Sequence, residues 1–389
     1  ESALAGEFPG GGLYIGTLEN GGVGLAPYHD FEGEIPEELD AEVQAIVEGI
    51  IAGEIWTGWG EAPEGAEAPA PAEEVDFSVG MVSDVGGVDD ASFNENTWAG
   101  LQRAQEELGV QAQFIESQAQ ADYERNITEF AEQDYDLIIT VGFLLGDATG
   151  KMAVEYPDTN MAIIDYAYDP AIPNVAGIVF NVDEAAFPIG YLAAGWAVLQ
   201  DPEDPQIGYV GGMQIPPVEQ FIVAYEAGAN YYNEQKGTDV QVKGVYVGDF
   251  EAPDDGKIQG SSLIDEGVDV IFGVGGKTGN GGLAAAKEAG KWGVGVDVDQ
   301  YFTLPNEQDI LITSCMKRLD NAVFAVVESA LAGEFPGGGL YIGTLENGGV
   351  GLAPYHDFEG EIPEELDAEV QAIVEGIIAG EISTGWPVE

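Results

Sequence analysis

The 389-residue chain is 45% hydrophobic, enough apolar surface for one two-lobed unit or two ordinary domains. Eleven Lys plus Arg stand against 71 Asp plus Glu, a net charge of -60 that repels nucleic acid and anionic lipid surfaces within the screening length. Nucleic-acid binding is thereby excluded, and the self-repulsion reads as adaptation to a saline habitat, where added salt restores stability.

Residues 1–59 return as residues 328–386 with a single difference, Trp56 against Ser383. Such identity marks a duplicate rather than an old structural repeat. The second copy continues a helix expected over 319–331, with Ala322, Val323, Val326 and Ala330 on one face. The first copy starts partway through that pattern and reads as a detached duplicate of the C-terminal segment. Two copies compete for one native position, so an appendage, a circular permutation or domain-swapped self-association can follow; the continuous second copy is expected to hold the position. Residues 60–74, GEAPEGAEAPAPAEE, form an acidic Pro/Ala/Glu linker that cannot bury a core. No signal peptide opens the sequence, as in the mature form of an exported protein.

From residue 75 onward, β-rich runs alternate with helical patterns: 77–82 with 98–108, 113–115 with 127–131, 137–141 with 149–156, then 161–164. The alternation restarts at 206–210 with 218–232, and continues through 240–247 with 257–264 and 268–272 with 282–289 to 293–296. Two such series predict an α/β protein with parallel sheets in two lobes. The expected division is 75–179 for the first lobe, 180–312 mainly for the second, and 313–389 for a hinge crossing and the C-terminal segment. The hinge strands are expected near Phe180, Thr313 and 339–352. The longest candidate membrane run, 137–145, is interrupted by Gly142 and falls short of the roughly 18 residues required. Cys315, the only cysteine, ends an apolar run and is expected as a buried thiol.

In open α/β sheets ligands sit beyond the carboxyl ends of strands. Those positions here carry Asp84, Phe143, Asp165, Asp297 and Asp299. Carboxylates accept paired hydrogen bonds from vicinal hydroxyls and aromatic faces stack on planar rings, a combination suited to a sugar joined to a base and hostile to phosphate. For any single aspartate, capping a helix or closing a turn is an equal alternative. In the segment 83–94, SDVGGVDDASFN, glycines allow close backbone approach, Ser92 or Asp90 can cap the next helix, and Phe93 and Asn94 fall on its first turn.

This segment, together with Gly142-Phe143, Tyr209-Val210-Gly211-Gly212, Gly275-Gly276-Lys277-Thr278-Gly279, Gly295-Val296-Asp297-Val298-Asp299-Gln300 and Thr313-Ser314-Cys315-Met316-Lys317-Arg318, resembles the basic membrane protein family of purine-nucleoside receptor lipoproteins. The resemblance implies a class I periplasmic-binding-protein-like fold, an extracytoplasmic lipid-anchored location, a purine nucleoside as ligand and an ABC permease as partner. No lipidated cysteine precedes the linker here. The resemblance puts Phe93 and Asn94 against the base, Asp165 near its polar edge and Asp297 on the ribose hydroxyls with Lys317 close by. Asp84, Asp90, Phe143, Gly276 and Asp299 join them as ligand candidates. Phe221 is expected to close the aromatic sandwich from the second lobe, with Phe250 as rival. Lys277 departs from the family, which more often has an uncharged residue there.

The run Gly275-Gly276-Lys277-Thr278 is not a phosphate-binding loop, because the glycine required five positions before Gly276 is Ile271. His29 and His356 are one position of the repeat, so a His-based triad or metal cluster has nothing to draw on, and no catalysis and no cofactor are expected. Two alternatives remain: a nucleoside hydrolase using paired carboxylates, and a filament-forming structural protein suggested by the duplicate.

Overall fold

The computed structural model describes residues 37–52 and 74–387. The linker reading, at 60–74, lies outside the described residues except for Glu74, as does most of the first copy of the repeat. The chain divides into two units, 1–71 and 72–389. In the first, α1 (Glu37–Ala52) is a helix. The same sequence forms a helix in the second unit (Glu364–Ile378) with Glu364, Glu365 and Asp367 in its first turn, where carboxylates complement the helix dipole. The helix is therefore encoded locally.

The second unit holds two six-stranded sheets. The first is built from β1 (Ser78–Val82), β2 (Gln111–Ile115), β3 (Leu137–Val141), β4 (Asn160–Ile164) and β5 (Val175–Phe180). The second uses β6 (Gln206–Gly211), β7 (Gln241–Tyr246), β8 (Val270–Val274), β9 (Trp292–Asp297) and β10 (Leu311–Lys317). Late in the chain β11 (Leu340–Gly343) joins the first sheet and β12 (Val350–Leu352) the second, giving the orders β11-β5-β4-β3-β1-β2 and β12-β10-β9-β8-β6-β7. Every pairing is parallel except β10 with β12. The central strands β3 (LIITV) and β8 (VIFGV) are buried throughout, as strands covered on both faces must be.

Around the first sheet lie α2 (Phe93–Leu108), α3 (Tyr123–Ala131) and α4 (Gly146–Glu155); around the second lie α5 (Val182–Gln200), α6 (Pro216–Lys236), α7 (Pro253–Asp265), α8 (Gly276–Ala289) and the short α9 (Gln300–Thr303). α10 (Leu319–Leu331) packs on α2, and α11 (Glu364–Ile378) packs on α5. α5 has no counterpart in the expected elements: it is buried on nearly every side and contains Pro188, so no apolar stripe marks it. It lies close against α6, where a Cβ added at Gly228 would come within 1.9 Å of Phe187 O.

The fold is thus the expected two-lobed α/β architecture. The chain crosses between sheets three times, at Asn181, at Arg318 and through 344–349. The crossings run side by side: the Asn181 N–H donates to Gly343 O at 2.8 Å and the Arg318 N–H to Gly349 O at 2.9 Å. Thr313 belongs to the strand that leads into the Arg318 crossing. It lies inside β10, paired with Val294 and donating from Oγ1 to Ala353 O at 2.7 Å, because the apolar run 310–312 enters the buried sheet and the chain leaves only at Arg318. The continuous second copy of the repeat supplies the end of α10, β11, β12 and α11. Cys315 is fully buried in β10, and burial pushes its thiol well above the usual range. No helix among the described residues is long and apolar enough to cross a membrane.

Several lysines sit in exposed pairs, such as Lys151 with Glu124 and Lys257 with Glu288, each at 2.5 Å. Exposed pairs contribute about 0–1 kcal/mol and cannot offset a net charge of -60. The urea midpoint should climb steadily between about 0.1 and 2 M KCl as the Debye length shrinks toward roughly 3 Å. Maximal stability in dilute buffer would refute this account.

Candidate ligand-binding site

The carboxyl ends of both sheets converge on one cavity enclosing about 560 Å³ of empty space, its mouth included. Of the eleven expected site residues, ten line it: Asp84, Asp90, Phe93, Asn94, Phe143 and Asp165 from the first sheet's connections, and Phe221, Gly276, Asp297 and Lys317 from the second's. The spacing follows from the strands. Asp165 directly follows β4 and Asp297 ends β9, and these strands hold the same place in the order of their sheets. Both aspartates have φ of +63°, a left-handed turn that Asp tolerates better than most residues and that ends the strand.

Between β1 and α2 the carboxylates hold the loop as well as line the cavity. Asp84 Oδ1 accepts from the Gly86 N–H at 2.8 Å and from Asn94 Nδ2 at 2.9 Å. Asp90 accepts from the backbone N–H groups of Ser92, Asn94 and Glu95 at 2.9–3.1 Å, so Asp90, not Ser92, caps α2. Asn94 Nδ2 also reaches Asp90 Oδ2 at 3.2 Å. Placed between two carboxylates, that nitrogen must be the donor end of the amide, which fixes Asn94 Oδ1 as the other end. Asn94 Oδ1 is buried without a hydrogen-bond partner, a costly state unless a ligand donor completes it. Gly142, at φ +110°, lets the next strand end approach: a Cβ there would meet Asp84 Oδ2 at 3.1 Å.

Four carboxylates share the cavity with one ammonium. Lys317 closes β10 with its side chain 2% exposed and its Nζ 2.6 Å from Asp165 Oδ2, 4.7 Å from the centre of the Phe93 ring and 5.1 Å from that of Phe180. Burial raises Asp84 and Asp90 to about 6 each. Asp297 rises to about 7, chiefly by burial; Lys317 opposes the shift, and Asp90, Asp165 and Asp84 add to it. Such a site accepts hydrogen bonds and rejects anions.

The aromatic wall holds Phe93 and Phe143 from one lobe and both Phe221 and Phe250 from the other. Ile215, Pro217 and Val218, at the start of α6, also line the cavity and were not foreseen. The strand-end rule applied to β6, followed by the helix-starting prolines at 216–217, was the available signal. Asp299 is a correction. It does not line the cavity; its Oδ2 lies 2.7 Å from His356 Nε2, and the imidazole stacks on Tyr301 with centroids 4.0 Å apart. The C-terminal segment carries His356 onto the start of α9 and claims Asp299.

The family model described as "ABC transporter substrate-binding protein PnrA-like" matches residues 77–384. The chain is similar to the CD4+ T-cell-stimulating antigen of Listeria monocytogenes, 33% identical over 351 residues that cover 86% of this chain and 95% of that protein. It is also similar to the ABC transporter nucleoside-binding protein BmpA of Lactococcus lactis, 30% identical over 323 residues, 78% of this chain and 89% of that one. Among solved structures, a solute-binding protein of an Aeropyrum pernix ABC transporter system aligns with a TM-score of 0.75 and 32% identity, covering 79% of this chain and 92% of that one.

Proposed function

The chain belongs to the PnrA-like, basic membrane protein family of ABC transporter substrate-binding proteins, and from that premise we propose that it closes on a purine nucleoside and presents it to an ABC permease. Proteins of this family bind substrates and are not enzymes, which sets the paired-carboxylate hydrolase aside. The observation that carries the nucleoside reading is the pairing of acceptors with aromatic walls: Asp84, Asp297 and the unpartnered Asn94 Oδ1 beside Phe93, Phe143, Phe221 and Phe250. A purine base offers N–H donors, at ring N1 in guanosine and inosine and at the exocyclic amine in adenosine, as well as two faces, and ribose offers vicinal hydroxyls. In this proposal Phe93 and Asn94 meet the base and Asp297 takes the ribose hydroxyls. Asp165, already paired with Lys317, keeps one oxygen for the base edge. The nucleoside-binding relative from Lactococcus lactis supports the same class.

The proposed location is extracytoplasmic, with a lipid anchor in the natural form, as the family's transport role implies. The acid excess fits a saline habitat. Mass spectrometry of small molecules released on denaturing the purified protein should find adenosine, guanosine or inosine. A free sugar or an amino acid in their place would refute the nucleoside while sparing the fold.

A further inference from the structure

The loop between β1 and α2 is held from the opposite lobe by side chains that do not line the cavity. Asn280 Nδ2, in α8, donates to Asp90 O at 2.9 Å. Gln300 Nε2 and Thr303 Oγ1, in α9, donate to Ala91 O at 3.2 and 2.8 Å. Gln300 Nε2 also donates to Asn280 Oδ1 at 3.1 Å, joining the three into one network. Nearby, Lys277 Nζ bridges Asp89 Oδ1 of the loop at 2.6 Å and Glu251 Oε2 of its own lobe at 3.0 Å. Ala91 has φ of +55°, an uncommon backbone for alanine, at the carbonyl that takes two of these bonds.

We propose that Asn280, Gln300, Thr303 and Lys277 form a clasp that holds the lobes shut on the loop, so that ligand affinity depends on residues that never touch the ligand. The inference rests on the reading of the cavity as a site that closes. Opening breaks all four contacts, whereas bonds within either lobe survive it. Gln300 is set in advance: its Oε1 accepts the Val296 N–H at 3.0 Å and its own N–H donates to Ser314 Oγ at 3.1 Å, which leaves Nε2 for the loop. The Asp90 cap gives the loop a fixed shape to grip. Lys277 is the weaker member, since the Asp89 side chain is 78% exposed and salt screens the pair. The sheltered amides and hydroxyl dominate.

The test uses the full chain with dyes on Glu129→Cys in α3 and Asp265→Cys in α7, read by single-molecule energy transfer without ligand and with guanosine, beside guanosine binding and release of the unlabelled chain. Thr303→Val is nearly isosteric and removes only the donor; it should weaken guanosine binding about fivefold, and with Asn280→Ala roughly 30-fold. Nearly all of the loss should appear in the dissociation rate, with the dye distance shifted toward the open state and the unliganded Tm within a few degrees. Lys277→Met should give a smaller loss that vanishes at high salt. Variants that change neither dye distance nor release, or that lower Tm while leaving the distance unchanged, overturn the clasp. If the wild type binds none of guanosine, adenosine and inosine, the nucleoside proposal fails, while the dye distance without ligand still decides the clasp.

Discussion

Replacing Lys317 by methionine should destabilise the unliganded protein by roughly 3–5 kcal/mol at pH 8, the usual consequence of removing one partner from a buried ion pair. Methionine keeps an unbranched apolar side chain, so the packing at the end of β10 suffers little. What is lost is the ammonium 2.6 Å from Asp165, in a pair whose side chains are 2% and 9% exposed. Asp84, Asp90, Asp165 and Asp297 then face one cavity without a cation among them. Like charges in low dielectric relieve themselves by taking up protons, and Asp297, which Lys317 holds down, rises further in the folded state only. Folded-state values above the unfolded ones mean that stability falls as pH rises, and the defect should shrink between pH 8 and pH 5. Urea denaturation at both pH values measures this. Adding Asp165→Asn should recover part of the loss at pH 8, because it removes the orphaned charge. A Lys317→Met protein as stable as wild type at pH 8 would show that the pair contributes nothing.

Much of this site follows from one rule applied to the sequence, that residues just past parallel strands face the ligand. It placed Asp84, Phe143, Asp165 and Asp297 on the cavity, since strand ends are readable from short apolar runs. Other features depend on partners distant in sequence. Asp299 satisfies the same rule as Asp297, yet it is taken by His356, 57 positions away. Asp90 lines the cavity with a carboxylate spent mainly on capping α2, a division of labour that composition cannot reveal. Helix α5 shows the complementary failure, because a helix buried nearly all round has no periodic stripe to read. The expected start of α8 at residue 282 falls six residues late for a related reason: its first turns carry Gly276, Gly279 and Gly281, which tertiary packing selects and helix propensity does not.

Asp297→Asn should gain stability and lose binding, and pH separates the two effects. Asp297 ordinarily ionises near 3.8 and in the fold is pushed up to about 7. Between those values the native state holds a proton that the unfolded chain has released, so this group's contribution to stability declines as pH rises from about 4 through 7. By pH 8 the ionised carboxylate costs the empty fold at most about 4 kcal/mol. Asparagine does not titrate, so the variant should be the more stable protein at pH 8, and the advantage should vanish near pH 4. Binding should move the opposite way. If the carboxylate accepts both ribose hydroxyls, two charge-assisted hydrogen bonds weaken together, and guanosine affinity at pH 8 should fall roughly 100-fold or more. The wild type, which must ionise Asp297 to bind, should lose affinity by up to about tenfold for each unit of pH below 7, whereas the variant's affinity should hardly respond to this group. Calorimetric titration with guanosine from pH 5.5 to 8.5 tests the assignment, and equal pH slopes in the two proteins would remove Asp297 from the ribose. A side chain that costs the empty fold stability and repays it only on binding is what a ligand site, rather than a structural ion-pair network, requires.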